Sequence, residues 1–308
     1  MSRLFTFGCS FTNYGWPTWA DILSYQFDQY ENWGKVGGGN HFIFYRLIEA
    51  IERNNISKDD TVAIMWSSIG REDRFIKGKW ELYGSVYNSK FTQDYIDNHT
   101  DPTGYYLTNT ALIQAAKKIL DGINCNYYFL SMAPLSMVDD SYLGLSFSLK
   151  KSIEEKCQSL YNESLELIKP SVYEVIFNND WHSLDHIIIP SAQKNSLKDF
   201  EKRYNKYSGK DWPKFEDFIE NNYAVSSSIQ TELEDQFNFV QWRDNILTCR
   251  QDFHPTPLEH FVYLSKIGFN LTNEQEEFAR VWDQKVLTDA NAKYVKEFVK
   301  EKINSFGS

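Results

Sequence analysis

The stretch RLFTFGCSFT at residues 3–12 decides the fold prediction. Its first half, Arg3–Phe7, is a largely apolar run that ends at Gly8. A short apolar run that ends at a turn residue is typical of a buried strand, and its opening position favours a central one. After a turn at residues 9–15, Pro17 suits the first turn of a helix. The apolar residues beyond it recur at helical spacing, namely Trp19, Ile22, Leu23 and Phe27.

Short apolar segments and amphipathic segments continue to alternate through the first half of the chain. Further strands are predicted within residues 32–39 and over residues 61–66 and 126–132. Helices are predicted from Asn40, which suits an N-cap, and over residues 109–120, with a long polar and aromatic excursion at 67–106. This alternation predicts an α/β fold, a three-layer α/β/α sandwich with a central, mainly parallel sheet.

The alternation weakens beyond Pro134. A helix is predicted over residues 148–168, a last strand over 237–241, and closing helices over 260–267 and 291–303. We find neither an internal repeat nor a low-complexity linker. The sequence therefore predicts a single domain over residues 1–308, with an insertion or cap at about 135–236.

Composition excludes several classes of protein. The net charge of −10 argues against a protein that binds nucleic acid through its phosphates, which needs clustered Lys and Arg. No stretch approaches the roughly 20 apolar residues of a membrane span. The opening residues predict a strand rather than a signal peptide, so a cytoplasmic location in the producing cell is expected. The four cysteines lie far apart, which favours neither a disulfide scaffold nor a structural zinc site.

Ser10 is the first candidate for chemistry, because it follows the first strand. A serine on a strand-to-helix turn lies at the carboxyl end of a parallel sheet, where open α/β folds bind ligands. The following helix is expected to present free N–H groups there, which suit a developing oxyanion. Two alternatives stay open: Ser10 caps the helix, or Cys9 is the nucleophile, although no basic partner is visible near it.

A glycine-rich turn, Gly37-Gly38-Gly39, follows the second predicted strand and precedes Asn40. Three glycines allow a close approach of the backbone and point N–H groups into a site. A plain tight turn is the alternative. The spacing matches neither a P-loop nor the GxGxxG pattern of dinucleotide-binding folds.

Ser67 and Ser68 end the third predicted strand, and Arg71 follows shortly after. Hydroxyl groups at this position would donate to a substrate oxygen. Arg71 would hold an anionic group or pair with Glu72 or Asp73, and a solvated loop end is the alternative for the whole segment.

Asp252, His254 and Pro255 form an Asp-x-His-Pro motif late in the chain. A carboxylate that accepts a hydrogen bond from the imidazole would fix its tautomer and leave the other nitrogen free as a base. An ordinary loop histidine is one alternative. A metal site with His260 is another, but the ligand set is incomplete.

In their order along the chain, these motifs resemble the SGNH/GDSL hydrolase superfamily, whose fold is a flavodoxin-like α/β sandwich. The resemblance covers residues 4–75 and 237–268. The GCSFT start, the GGGN turn and the WSSxxRxD segment are particularly similar to SGNH-type proteins encoded by bacteriophages, which implies a virus-encoded protein.

The resemblance implies a role for each motif. Ser10 would be the nucleophile and would give its own N–H to the oxyanion hole. Gly37, or Gly38 if the turn is shifted by one residue, would give a second N–H. Asp252 and His254 would complete the catalytic triad.

The sequence departs from the family pattern at three points. Gly-Cys-Ser replaces Gly-Asp-Ser, and one residue rather than two separates Asp252 from His254. Ser68, with Ser67 beside it, stands where the family has an asparagine that donates to the oxyanion. Asn40 is a candidate to complete the hole in its place. Because of these departures, a slow or degenerate enzyme is an alternative to an efficient one.

The implied activity is ester hydrolysis through an acyl-enzyme, without a cofactor. A small acyl group, O-acetyl above all, on a neutral carbohydrate is favoured because no long hydrophobic lid is evident and the chain is acidic. Aromatic residues, 16% of the chain, follow mainly from composition and core packing, but those at 80–106 and 181–212 would form a sugar-stacking rim. The alternatives are a non-catalytic SGNH-fold protein, either glycan-binding or viral structural, and an O-acyltransferase.

Overall fold

The structure is a computed structural model of the 308-residue chain. It describes residues 2–87, 91–137, 139–140, 145–146, 149–181, 183–184, 189–221, 223–237 and 252–294. These residues form two compact units. The first takes its described residues from 1–180 and 254–280 together with Tyr294, and the second from 181–253 and 281–293.

The elements are numbered along the chain. The strands are β1 (Arg3–Phe7), β2 (Gln29–Asn32), β3 (Asp60–Trp66), β4 (Arg71–Ile76), β5 (Lys79–Ser85), β6 (Asn126–Ser131), β7 (Asp139–Asp140) and β8 (Leu145–Ser146). The helices are α1 (Trp19–Ser24), α2 (Asn40–Asn54), α3 (Gln93–His99), α4 (Pro102–Ile123), α5 (Lys151–Leu165), α6 (Val172–Val175), α7 (Pro190–Tyr207), α8 (Phe215–Glu220), α9 (Ser227–Phe237), α10 (Pro257–Lys266) and α11 (Asn273–Thr288).

A parallel sheet with the order β2-β1-β3-β6 lies at the centre of the first unit. Strand β1 is interior, as its sequence predicts, and every residue of β3 is buried. Strands buried on both faces are a property of parallel sheets that helices cover. The prediction of an α/β fold with a central parallel sheet flanked by helices is confirmed.

Helices α2 and α4 pack on the sheet through their apolar stripes. Leu47 of α2 and Ile113 of α4 are fully buried in one core with Phe5, Val62 and Ile64 of the sheet. Helix α1 packs on α10. At the amino end of the sheet, Arg3 forms an ion pair of 2.5 Å with Asp60, the residue opposite it in register. This pair joins β1 to β3.

A β-hairpin, β4–β5, occupies much of the segment predicted as an irregular excursion. The two strands are joined through Lys77 and Gly78, with φ values of 52° and 81°. Two consecutive left-handed residues are typical of the tight turns that match the twist of a hairpin. Helix α4 then begins at Pro102, earlier than predicted, because Asp101 caps it by accepting from the N–H of Thr103 at 2.9 Å.

Other predicted boundaries also differ from the structure. Strand β2 ends at Asn32, where the sequence predicts a strand to begin. Phe237, the first residue of the predicted last strand, ends helix α9, and residues 238–241 lie outside the described residues. Residues 291–294 are not helical, and the rest of the predicted helix at 291–303 lies outside the described residues.

The second unit has its own apolar cluster. Phe200 and Tyr204 of α7 pack with Phe215 and Phe218 of α8 and with Leu233 of α9. It begins within the predicted insertion, and its role as a cap stays a prediction. Among the described residues, no helix is both long and apolar enough to cross a membrane.

Candidate functional site

The order β2-β1-β3-β6 places the topological switch point of the sheet between β1 and β3. The chain leaves β1 toward β2 on one side and later returns to add β3 on the other side. In open α/β sheets, ligands bind in the crevice at such a switch point. The turn with Ser10 follows β1, and Ser67 follows β3, so the topology brings two of the predicted site segments to the same edge.

Ser10 lies in a tight turn directly after β1. The carbonyl of Cys9 accepts hydrogen bonds from the N–H groups of Thr12, at 3.0 Å, and Asn13, at 3.1 Å. Gly8 permits this turn, because a Cβ there would lie 2.0 Å from the Thr12 hydroxyl. Ser10 is 4% exposed. Within the part of the chain that the structure describes, its N–H has no acceptor.

The helix that follows this turn begins well after Ser10 in the sequence, and the predicted use of its N-terminus stays a prediction. Helix α1 begins at Trp19. Its N-cap, Thr18, forms a capping box with Asp21, and the N–H of Thr18 donates to the Asp21 carboxylate at 2.8 Å. Ser10 therefore does not cap this helix.

Cys9 is the alternative nucleophile that the sequence leaves open. Its side chain is fully buried, and its thiol donates to the sulfur of Met132 at 3.8 Å. Structural cysteines that are buried in this way are inert toward substrates. The structure therefore does not support Cys9 as the nucleophile.

The loop after β2 is hydrogen-bonded to the turn that holds Ser10. The N–H of Lys35 donates to the carbonyl of Gly8 at 3.1 Å, and the amide of Asn13 donates to the carbonyl of Gly34 at 2.8 Å. The amide of Asn32 donates to the carbonyl of Thr12 at 2.7 Å. These bonds bring the glycine-rich turn next to the first turn.

Gly37 and Gly38 differ in their availability to a ligand. The N–H of Gly38 donates to the carbonyl of Lys35 at 3.0 Å, whereas that of Gly37 has no acceptor among the described residues. Gly37 has a φ of 83°, in the left-handed region that favours glycine. Of the two, Gly37 is the better candidate for an N–H donor.

Asp73 of β4 caps helix α2. Its carboxylate accepts from the N–H of Gly39 at 2.9 Å and from that of Phe42 at 3.0 Å. Burial raises the pKa of Asp73 above its ordinary value, against the effect of these two N–H groups. The helix begins at Asn40 with Gly39 as its N-cap, one residue earlier than predicted.

The side chain of Asn40 holds Ser67 and Asn109, so the prediction that it donates to an oxyanion is wrong. Its amide nitrogen donates to the carbonyl of Ser67 at 3.0 Å and to the side chain of Asn109 at 2.7 Å. Its amide oxygen accepts from the N–H of Ser67 at 2.7 Å. Both amide hydrogens are therefore used within the protein, and the residue is 2% exposed.

The two serines after β3 lie in different surroundings. Ser67 is fully buried, and its hydroxyl has no hydrogen-bond partner among the described residues. Ser68 is half-buried. Ser68 is thus the serine of the pair that a substrate can contact.

Arg71 extends from β4 across the carboxyl edge of the sheet. Its guanidinium donates to the carbonyl of Gly38 at 3.3 Å and to the sulfur of Met132 at 3.6 Å. The neighbouring carboxylates are engaged elsewhere, since Glu72 pairs with Arg74 at 2.9 Å and Asp73 caps α2. Among the described carboxylates, none forms a salt bridge with Arg71.

His254 lies against the turn that holds Ser10. Its ring stacks on Tyr14, with centroids 3.9 Å apart and planes 14° apart, and meets the edge of Phe11 at 5.1 Å. The indole N–H of Trp16 donates to the carbonyl of Pro255 at 2.8 Å, which fixes the exit of the loop. Tyr14 and Trp16 carry no motif signal in the sequence.

Asp252 belongs to the second unit, and His254 to the first. The pairing of the two side chains stays a prediction. Among the described residues, no group of three His, Cys, Asp or Glu side chains is placed to hold a metal ion.

Comparisons with known proteins find a weak likeness among solved structures. No family model matches the chain, and no curated protein matches it. Among solved structures, the chain is similar to the crystal structure of a member of the lipolytic protein G-D-S-L family from Veillonella parvula, with a TM-score of 0.31 and 16% sequence identity. The likeness covers 58% of this chain and 82% of that chain. This likeness does not support the predicted similarity to proteins encoded by bacteriophages, which stays a prediction.

Proposed function

We propose that this protein is a serine hydrolase of the SGNH type, which removes a small acyl group, O-acetyl above all, from a carbohydrate. The observation that carries the proposal is the position of His254. A histidine from the far end of the sequence packs on Phe11 and Tyr14, in the same turn as Ser10, at the switch point of a parallel sheet. A base beside a serine in a ligand crevice is the arrangement that activates a serine hydroxyl.

In the proposed reaction, His254 takes the proton of the Ser10 hydroxyl as the oxygen attacks the ester carbonyl. Asp252 would hold the imidazole in the correct tautomer. The tetrahedral intermediate collapses when His254 protonates the leaving alcohol, and an acyl-enzyme on Ser10 remains. His254 then takes a proton from a water molecule as the water oxygen attacks the acyl carbon. It returns this proton to the Ser10 oxygen when the bond from that oxygen to the acyl carbon breaks, which releases the acid and restores the serine hydroxyl.

The developing oxyanion would be stabilised by the N–H groups of Ser10 and Gly37. In support, neither N–H has an acceptor among the described residues. The hydroxyl of Ser68 would be a third donor. Loss of a single oxyanion donor costs roughly 10²- to 10³-fold in rate, so a hole without the family's asparagine predicts a slow enzyme.

Arg71 would bind an oxygen of the substrate beside the acyl group. The guanidinium lies against the carbonyl of Gly38, next to Gly37, and keeps N–H groups for a ligand. A partly desolvated guanidinium is a strong donor to an ester or ring oxygen.

Hydrolysis of p-nitrophenyl acetate tests the proposal. We expect turnover by the wild-type protein and a loss of at least about 10³-fold in Ser10→Ala and in His254→Ala. Ser265→Ala and His99→Ala, at exposed positions, are matched controls that should keep activity. Wild-type turnover that survives Ser10→Ala would contradict the mechanism.

The same assay separates the alternatives. Transfer of the acetyl group to an added alcohol, at the expense of release to water, would identify an O-acyltransferase. Glycan binding that survives both substitutions, without any turnover, would identify a non-catalytic glycan-binding protein.

A further inference from the structure

A second concave surface lies beside the candidate site, between helix α2 and the hairpin β4–β5. It is a groove of about 790 Å³ whose lining includes Tyr45, Phe75 and Trp80 together with His41, Glu49 and Glu52. We call it the α2–hairpin groove. The residues that line the groove are different from those that the proposed mechanism uses.

Exposed aromatic rings form the apolar wall of this groove. Tyr45 is 58% exposed and Phe75 is 51% exposed. Both pack against Trp80, each with ring centroids 5.5 Å from it, and Phe42 supports Trp80 from the side at 5.6 Å. Large apolar side chains that cluster on a surface mark a binding site rather than a core.

Two carboxylates of the groove, Glu49 and Asp73, are already held by hydrogen bonds within the protein. Glu49 accepts from Arg46 at 2.9 Å and from Arg53 at 2.8 Å. The carboxylate of Asp73 accepts from the backbone N–H groups of Gly39 and Phe42. The exposed carboxylate of Glu52 and the exposed imidazole of His41 line the same groove.

Exposed aromatic rings beside carboxylates and an imidazole fit a neutral carbohydrate better than an ion or an apolar helix. A sugar ring has an apolar C–H face, which stacks on an aromatic ring, and hydroxyl groups at its edge, which bond to carboxylates and imidazoles. An anionic ligand would meet the carboxylates of Glu49 and Glu52, and the cation in the lining, Arg53, is already paired with Glu49. An apolar helix would bury these charges at a cost.

The groove adjoins the candidate active site through Asp73. This carboxylate lines the groove and holds the N–H of Gly39, at the end of the glycine-rich turn. Arg71, two residues earlier on the same strand, reaches the carbonyl of Gly38. A chain bound in the groove would thus extend toward Gly37 and the crevice.

We propose that the α2–hairpin groove binds the neutral carbohydrate chain that carries the acyl group, with Tyr45, Phe75 and Trp80 as its stacking surface. The inference rests on the proposed function for the position of the acyl group. The binding site itself is separate from the residues of the reaction.

An array of neutral and acidic oligosaccharides tests the groove, with Ser10→Ala protein as the probe so that no ester is consumed. We expect binding to neutral oligosaccharides, weakened about tenfold when Trp80→Ala or Phe75→Ala is added to Ser10→Ala. Leu160→Ala, at a position 59% exposed outside the groove, is the matched control and should bind like its parent. The side chains of Phe75 and Tyr45 are mostly exposed. Phe75→Ala and Tyr45→Ala therefore still test the groove if the Trp80→Ala protein does not fold.

Two further readouts separate this inference from the proposed function. With Ser10 intact, Trp80→Ala and Phe75→Ala should hydrolyse p-nitrophenyl acetate within about twofold of wild type, since that ester does not reach the groove. If the wild type hydrolyses this ester but no neutral oligosaccharide binds, or if binding is unaffected by all three aromatic substitutions, the groove is not the carbohydrate site. If oligosaccharides bind through the groove but no ester is hydrolysed, the proposed function fails and the groove stands.

Discussion

The imidazole of His254 lies flat on the ring of Tyr14, with centroids 3.9 Å apart and an angle of 14° between the planes. Trp16 packs edge-on against Tyr14 at 4.6 Å and donates its indole N–H to the carbonyl of Pro255. Through these contacts, the turn after β1 holds both the ring of His254 and the backbone of the next residue. The segment that carries the proposed nucleophile therefore also orients the proposed base.

Tyr14 is predicted to act as a positioning residue for His254. In Tyr14→Ala the ring loses its stacking partner, and we expect kcat for p-nitrophenyl acetate to fall roughly 3- to 10-fold with little change in KM, because a stacked ring pair contributes about 0.5–1.5 kcal/mol. Tyr14→Phe keeps the stack and should restore kcat. Steady-state kinetics on the three proteins, with melting temperatures to check folding, measure this effect. An equal loss of kcat in Tyr14→Phe would show that the hydroxyl, not the stack, matters.

Asn40 is predicted to stabilise the fold without taking part in the reaction. Asn40→Ala leaves the buried N–H and carbonyl of Ser67 without their partner, and we expect the free energy of unfolding to fall by roughly 2–4 kcal/mol. The folded protein should keep its turnover rate per labelled site. At low temperature, fluorophosphonate titration counts the sites and p-nitrophenyl acetate hydrolysis gives the rate. A drop of about 10²-fold in that rate would instead restore Asn40 as an oxyanion donor.

The ion pair of Arg3 with Asp60 predicts a specific loss of stability in acid. The pKa of Asp60 is lowered from its ordinary value of 3.8; burial opposes this, but the hydrogen bonds from Arg3 and Ser57 outweigh it. A carboxyl with a lower pKa in the folded state contributes stability above the unfolded value, and loses it as the pH falls through the folded value. We therefore expect the free energy of unfolding to decrease as the pH falls below about 4.

Arg3→Met tests this pair. Urea denaturation from about pH 6 to about pH 3 should show the variant less stable by roughly 1–3 kcal/mol at the upper end, with the difference shrinking in acid. Lys151→Met, which removes a solvent-exposed cation, is the control and should change little. A constant difference across the pH range would mean that Arg3 acts through packing alone.

The sheet of the first unit is predictable from sequence because its strands are short, apolar and bounded by turn residues. The predicted strands at 61–66 and 126–132 match β3 and β6 to within a residue. The hairpin β4–β5 is harder to predict, because charged residues alternate with apolar ones only weakly around the Lys77-Gly78 turn. That turn is the local signal that indicates it.

The candidate site is predictable only in part, because its residues are placed by contacts across the fold. Ser10 and Gly37 are found from their turns, which are local features. Asn40 donates to Asn109, which lies 69 residues away in the sequence, and Asp73 accepts from the N–H of Gly39, which lies 34 residues away. The sequence motif around Asn40 is equally compatible with a donor to a ligand, so only the tertiary partners decide its role.

Ser10 is proposed to be an activated nucleophile, and fluorophosphonate labelling with mapping of the modified peptide tests this role. We expect the native wild-type protein to be labelled at Ser10, Ser10→Ala and His254→Ala to lose the label, and Ser265→Ala to keep it. The absence of label at Ser10 in the native wild-type protein, or equal labelling of Ser10→Ala, would contradict it.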